Sequence, residues 1–151
     1  MPRLALYLGF ECHKRNSDIA NKYDYLVPVP LHKRRYAERG YNQSEILASG
    51  ISKVSSVPVA KRKWLSRVRQ TPSQTGLTLE QREENVRGAF ALSNRGKKEF
   101  HNKRLLIIDD VMTTGATLAS AASAFISAKP KQIDLFALAA VVDSPADDLP
   151  F

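Results

Sequence analysis

An α/β fold with a mainly parallel central sheet flanked by helices is predicted by three features of the sequence. Leu105 to Ile108 is an unbroken apolar run of strand length, of the kind a parallel sheet buries on both faces. Thr117 to Ala128 has helical periodicity, with Leu118, Ala121, Ala122, Phe125 and Ile126 on one side, and Pro130 stops it. "QIDLFALAAVV" then returns as another buried strand. Strand, helix, strand in this order is a crossover unit, which joins parallel neighbours with a right-handed connection.

The elements before this unit fit the same class. At 151 residues the chain is expected to form one domain, 1–151, around a single core, with residues 1–22 as a helical or extended lead-in. "YDYLVPVP", Tyr23 to Pro30, reads as a short strand entering a rigid loop. Asn42 and Glu45 have capping-box spacing, and Ile46, Leu47 and Ile51 share one face of the helix that would follow. Val57 to Ala60 and the segment around Trp64-Leu65 suit brief strands. Residues 66–85 are polar, contain Pro72 and Gly76, and read as a mobile loop with a short helix from Thr78, where Thr78 and Gln81 repeat the capping spacing.

Composition narrows the function classes. One cysteine, Cys12, excludes a disulfide framework or a multi-cysteine zinc site built from this sequence, and suits a reducing cytoplasm. "LFALAAVV" is far shorter than the roughly 20 apolar residues a membrane helix needs, so no membrane insertion is expected. His13, His32 and His101 lack metal-ligand or triad spacing. The net charge of +8 is uneven: residues 1–100 hold 19 Lys/Arg against 9 Asp/Glu, and residues 101–151 hold 4 against 6. Clusters at Lys33-Arg34-Arg35 and Lys61-Arg62-Lys63 favour a polyanionic partner, a phosphorylated small molecule or single-stranded DNA, unless they are solvated surface. Trp64, Tyr36 and Tyr41 lie near these cations and offer stacking faces, if they are not core.

The stretch "RLLIIDDVMTTGATL", Arg104 to Leu118, carries the most chemistry. Ligands of open α/β sheets sit at the carboxyl ends of strands, where following helices point their N-termini. Asp109 and Asp110 fall at that edge. Val111, Met112, Thr113, Thr114, Gly115, Ala116 and Thr117 lead into the helix, whose free amides and positive dipole end suit an anion. Gly115 permits a left-handed backbone or a close approach, and three threonines add hydroxyls without charge. Carboxylates suit sugar hydroxyls or a metal reached directly or through water. A phosphate beside two vicinal hydroxyls describes a ribose 5-phosphate. The plainer alternative is that the acids only cap the helix.

"LLIIDDVMTTGAT" resembles the phosphoribosyl pyrophosphate motif of type I phosphoribosyltransferases. By that resemblance Asp109 and Asp110 hold the ribose 2′- and 3′-hydroxyls, residues 113–117 cradle the 5′-phosphate, and the chain adopts the type I phosphoribosyltransferase fold. "VPVPLHKRRYAERGYNQSEILA" and "RQTPSQTGLTLEQREENVRGAF", in that order, are similar to the ComF/GntX group of competence-associated phosphoribosyltransferase-like proteins. Members of that group commonly carry an N-terminal cysteine-rich region, which this sequence does not contain.

The resemblance implies further roles. Leu31, His32, Lys33, Arg34 and Arg35 match a pyrophosphate-contacting loop, and Arg67, Arg69, Gln74 and Arg82 match contacts of a mobile loop. Asp109, Asp110, Arg67 and Arg69 are the catalytic candidates. The implied reaction displaces pyrophosphate from ribose C1 by a nitrogen nucleophile, with Mg²⁺ held through ligand and water near Asp109 and Asp110 rather than directly by the protein. A homodimer is compatible with the sequence. The rival expectation is a non-catalytic module that senses a nucleotide precursor or handles single-stranded DNA beside other competence proteins. No residue encodes the acceptor.

Overall fold

A computed structural model describes residues 18–69 and 88–140. Three parallel strands form the main sheet in the order β1 (Tyr25–Pro28), β4 (Arg104–Met112), β5 (Gln132–Ala140). Val59 adds a single parallel bridge beside Leu26, so the expected strand at 57–60 is reduced to one residue of pairing. Between β1 and β4 come helices α2 (Lys33–Arg39) and α3 (Gln43–Ser55), then strand β2 (Leu65–Arg67). After the undescribed stretch follow β3 (Phe90–Leu92) and α4 (Asn94–Phe100). Strands β2 and β3 pair antiparallel as a small second sheet. A single-turn α1 (Ile19–Lys22) precedes β1, and α5 (Ala116–Ser123) crosses from β4 to β5.

Alternation along β4 divides the core in two, because successive side chains of a strand point to opposite faces. Leu105 and Ile107 pack with Trp64, Leu65, Phe90, Phe100, Leu118 and Phe125. Leu106 and Ile108 pack with Ile19, Tyr23, Leu47, Ala48 and Ile51. The first cluster is built on aromatics: Tyr25, Trp64 and Phe100 meet pairwise edge to face with centroids 5.6–5.8 Å apart. Each such pair contributes about 0.5–1.5 kcal/mol beyond its buried area. At the opposite end of the sheet from the acids, Asp24 fixes the start of β4. It accepts from the Arg104 amide at 2.8 Å and from its guanidinium at 3.0 and 3.3 Å.

Four expectations change. The helix from 117 is shorter: α5 ends at Ser123 and a 3₁₀ turn covers Ile126–Ala128, which leaves Ile126 77% exposed instead of on the buried face. Strand β5 is only partly covered, with Leu135 and Leu138 exposed, and among the described residues it pairs along one edge only, with β4. The capping box at α3 is half formed. Asn42 caps as expected, its Oδ1 accepting from the Ser44 amide at 3.1 Å, but Glu45 turns away to Arg62 at 3.5 Å. Lastly, β4 runs through the acids to Met112, whereas the apolar run suggested an end at Ile108. The expected helix from Thr78 lies outside the described residues.

The join between the two sheets makes one substitution decisive. Alanine in place of a helical glycine normally stabilises by about 1 kcal/mol. At Gly96, in α4, a Cβ would lie 2.5 Å from the Trp64 carbonyl oxygen. That carbonyl is held in place by the Ser93 amide at 3.0 Å. Gly96→Ala is therefore expected to destabilise by about 1–3 kcal/mol, the usual range for overpacking. Denaturant unfolding measures this, and a stabilised variant would contradict the packing described.

Candidate functional site

The pairing of β4 explains where a ligand can enter. On the β1 side it stops at Pro28↔Ile108, while on the β5 side it continues to Met112↔Ala140. Asp109 and Asp110 therefore stand just beyond the end of β1 and are still held in register by β5. Over the end of β1 lie the segment Val29–His32 and the first turn of α3. A crevice at the carboxyl edge of a parallel sheet is the usual ligand position in such folds.

Asp109 is buried, at 8% exposure, and Asp110 is half-buried. The Asp109 Oδ1 accepts two hydrogen bonds, from the Ser44 hydroxyl at 3.0 Å and from the Asp110 amide at 3.0 Å. Burial pushes the Asp109 carboxyl up to about 6; the bonds from the Ser44 hydroxyl and the Asp110 amide oppose this, while the Asp110 carboxyl adds to it through its charge and a side-chain hydrogen bond. An isolated carboxylate is costly to bury, and a helix cap does not need one in this place. Asp109 caps no helix, since β4 continues for three more residues beyond it.

The turn after β4 has the expected backbone. Gly115 is left-handed at φ 77° and begins α5. A Cβ there would touch only the Met112 sulfur, at 3.6 Å, so the dihedral rather than bulk is what favours glycine. The Thr114 hydroxyl accepts from the Ala116 amide at 3.3 Å, which braces the turn from within. Thr113 and Val111 are exposed, Met112 and Thr117 half-buried, and Ala116 buried.

The cationic candidates divide. Leu31 and His32 lie in the short link after β1, but Lys33, Arg34 and Arg35 form the first turn of α2 instead of a loop. At the start of that helix His32 Nδ1 accepts from the Arg34 amide at 3.4 Å. Arg34 pairs with Glu38 on the exposed side at 3.3 Å, whereas Arg35 is half-buried. Arg67 lies in β2 rather than in the expected loop, with its guanidinium carbon 5.3 Å from the Phe90 ring centroid. Burial lowers the Arg67 pKa, the positive charge of Arg35 lowers it further, and Asp109 opposes both. Arg67 thus lies within electrostatic range of both Arg35 and Asp109. Arg69 is exposed at the end of the described segment, and Gln74 and Arg82 lie outside the described residues.

Two contacts were not legible in the sequence. Ser44 reaches across 65 positions to Asp109, and no local spacing rule signals that. Arg62 stacks on Tyr36 with its guanidinium carbon 3.5 Å from the ring centroid, which joins the two basic clusters. The clue available was only the aromatic residue beside one cluster.

The Phosphoribosyl transferase domain family matches residues 31–150. Competence protein F of Haemophilus influenzae is 36% identical over 113 residues, 75% of this chain and 48% of that protein. This chain is a ComF-type member of the phosphoribosyl transferase family. DNA utilization protein YhgH of Escherichia coli is 32% identical over 119 residues, covering 73% of the chain and 46% of YhgH. Competence protein ComFC of Bacillus subtilis is 30% identical over 102 residues, covering 68% and 38%. The ComF-type chain thus spans less than half the length of these relatives. Among solved structures, glutamine phosphoribosylpyrophosphate amidotransferase from Bacillus subtilis aligns with TM-score 0.54 at 16% identity, over 91% of this chain and 25% of that one. UMP synthase of Leishmania donovani aligns with TM-score 0.51 at 17% identity, over 93% and 28%. These likenesses establish the type I phosphoribosyltransferase fold. No helix among the described residues is long and apolar enough to cross a membrane.

The raised Asp109 pKa has a consequence for the stability of the ComF-type domain. Between about pH 4 and 6 the folded state keeps a proton that the unfolded chain has lost, so stability falls as pH rises through that window and levels off above it. Asp109→Asn removes the buried charge. It is expected to stabilise the protein at pH 8 by on the order of 2–3 kcal/mol, at 1.36 kcal/mol per unit. The gain should vanish as the pH approaches 4. Urea unfolding at pH 4, 6 and 8 checks both the sign and the window; a variant less stable at pH 8 would contradict the reading.

Proposed function

We propose that this domain binds phosphoribosyl pyrophosphate with Mg²⁺ and transfers the phosphoribosyl group to a nitrogen acceptor. The C1–O bond to pyrophosphate breaks, pyrophosphate leaves with the electron pair, a C1–N bond forms, and the acceptor nitrogen gives up its proton. The observation that carries this reading is the carboxylate of Asp109, buried at the sheet edge next to a left-handed glycine turn and a helix start. Burying a charge there weakens the fold, and a ligand with hydroxyls to offer it supplies the compensation.

Each group has a part in this reading. Asp109 and Asp110 accept from the ribose hydroxyls. The turn from Thr113 to Thr117 takes the 5′-phosphate on its amides, with the dipole of α5 behind them. Arg67, whose pKa is lowered by burial and then by the charge of Arg35, suits an anion beside it, which the pyrophosphate would supply. Among the described residues no group of three or more His, Cys, Asp or Glu is placed to hold a metal. The adjacent carboxylates fit Mg²⁺ in its usual manner, with most of its shell from water and phosphate oxygens. When bound, the ion would neutralise charge on the leaving pyrophosphate.

A second reading has its own observation, the stacking of Arg62 on Tyr36 that merges the basic clusters. The relatives named for competence and DNA utilization support a place beside DNA. In this reading the domain handles single-stranded DNA or senses a nucleotide precursor without turnover.

Calorimetric titration and pyrophosphate release over a panel of bases and amines separate the two. Phosphoribosyl pyrophosphate with Mg²⁺ should bind the wild type. The double variant Asp109→Asn, Asp110→Asn should lose about 1.5–3 kcal/mol per charge-assisted hydrogen bond while staying folded. Pyrophosphate release with some acceptor is expected; binding without release across the panel would favour the sensing module. If DNA handling dominates, affinity for a single-stranded oligonucleotide should fall steeply with salt. Replacing Arg62 should then weaken it for every sequence alike.

A further inference from the structure

We infer that Ser44 is a positioning residue for Asp109, holding the carboxylate so that one oxygen is committed to the protein and the other is presented to the ribose hydroxyls. This deepens the phosphoribosyl reading and rests on it.

Terminal carboxylate torsions are broad and roughly two-fold, so a side chain alone does not fix where an Asp oxygen points. Here two donors meet on one oxygen: the Ser44 hydroxyl and the Asp110 amide, each 3.0 Å from Asp109 Oδ1. No donor among the described residues bonds Oδ2, and the Asp110 carboxyl lies within hydrogen-bonding reach of the Asp109 carboxyl. A serine in the first turn of a helix ordinarily serves that helix. Ser44, 2% exposed, sends its hydroxyl outward to a strand instead.

Ser44 is itself held. Asn42, also 2% exposed, accepts from the Ser44 amide at 3.1 Å and donates through Nδ2 to the Val29 carbonyl at 2.9 Å. Three hydrogen bonds thus run from Val29, through Asn42 and Ser44, to Asp109. They connect the link that carries Leu31 and His32 to the acid on β4, so the two halves of the crevice are registered by side chains of one helix start. Asn42 has a second duty as the α3 cap, which makes its replacement ambiguous. Ser44 caps nothing and allows a clean test.

The test uses the full chain with Mg²⁺ and two probes. Ribose 5-phosphate carries the hydroxyls. Tetrahydrofurfuryl phosphate keeps the ring and phosphate without them. Wild type should prefer ribose 5-phosphate. Ser44→Ala should cut that preference about tenfold, the scale of one hydrogen bond to a charged group, with affinity for tetrahydrofurfuryl phosphate unchanged. Equal weakening of both probes would mean that Ser44 only supports α3, and no weakening would mean that Asp109 needs no holding; either overturns the assignment while the phosphoribosyl reading stands. A wild type that binds neither probe, or binds both alike, overturns that reading and this assignment with it. Should Ser44→Ala fail to fold, Ser44→Cys, near in size but a poor donor, gives the same comparison.

Discussion

The arrangement of this domain turns on one costly placement, a carboxylate buried at the carboxyl edge of a parallel sheet. Asp109 is covered by α3 on one side and held in register by β5 on the other. The apolar run of β4 does not call for an acid there, and the donors to Asp109 among the described residues are the Ser44 hydroxyl and the Asp110 amide. The proposed contact with ribose hydroxyls gives this acid a purpose. Natural chains break a local rule mainly where function needs it.

The rest of the fold serves that placement. The short β1 ends four residues before β4 does, which opens the crevice. The interlocked aromatics Tyr25, Trp64 and Phe100 anchor the second sheet against the first. That anchoring brings Arg67 into electrostatic range of Asp109 and Arg35. Cations on α2 and β2 and the acid on β4 come from distant parts of the chain, so the site exists only when both sheets are docked.

What could be read from the sequence follows the range of the forces involved. Local signals served well: the apolar run 105–108, the Asn42 cap and the glycine turn at 115 all depend on neighbours within a few residues. Periodicity overreached where tertiary packing decided. Ile126 continues the helical pattern, yet the helix tightens before reaching it. The second strand looked buried because its residues are apolar, but apolar side chains also occupy partly covered edges. His32 was unreadable as a helix start because histidine is an unusual cap. The Ser44–Asp109 bond and the Arg62–Tyr36 stack join residues with no spacing relation, and only the folded chain reveals them. The match to the phosphoribosyl transferase family, by contrast, was carried by contiguous motifs and agrees with the fold.

The carboxyl titration of Asp109, followed by carbon-detected magnetic resonance in the ligand-free protein and again with phosphoribosyl pyrophosphate and Mg²⁺, tests the central claim most directly. A midpoint of about 6 is expected without ligand. Ligand should move it down, because hydroxyl donors and a nearby cation favour the ionised form. A midpoint near the ordinary aspartate value of about 3.9, unmoved by ligand, would contradict a buried acid held ready for a ribose.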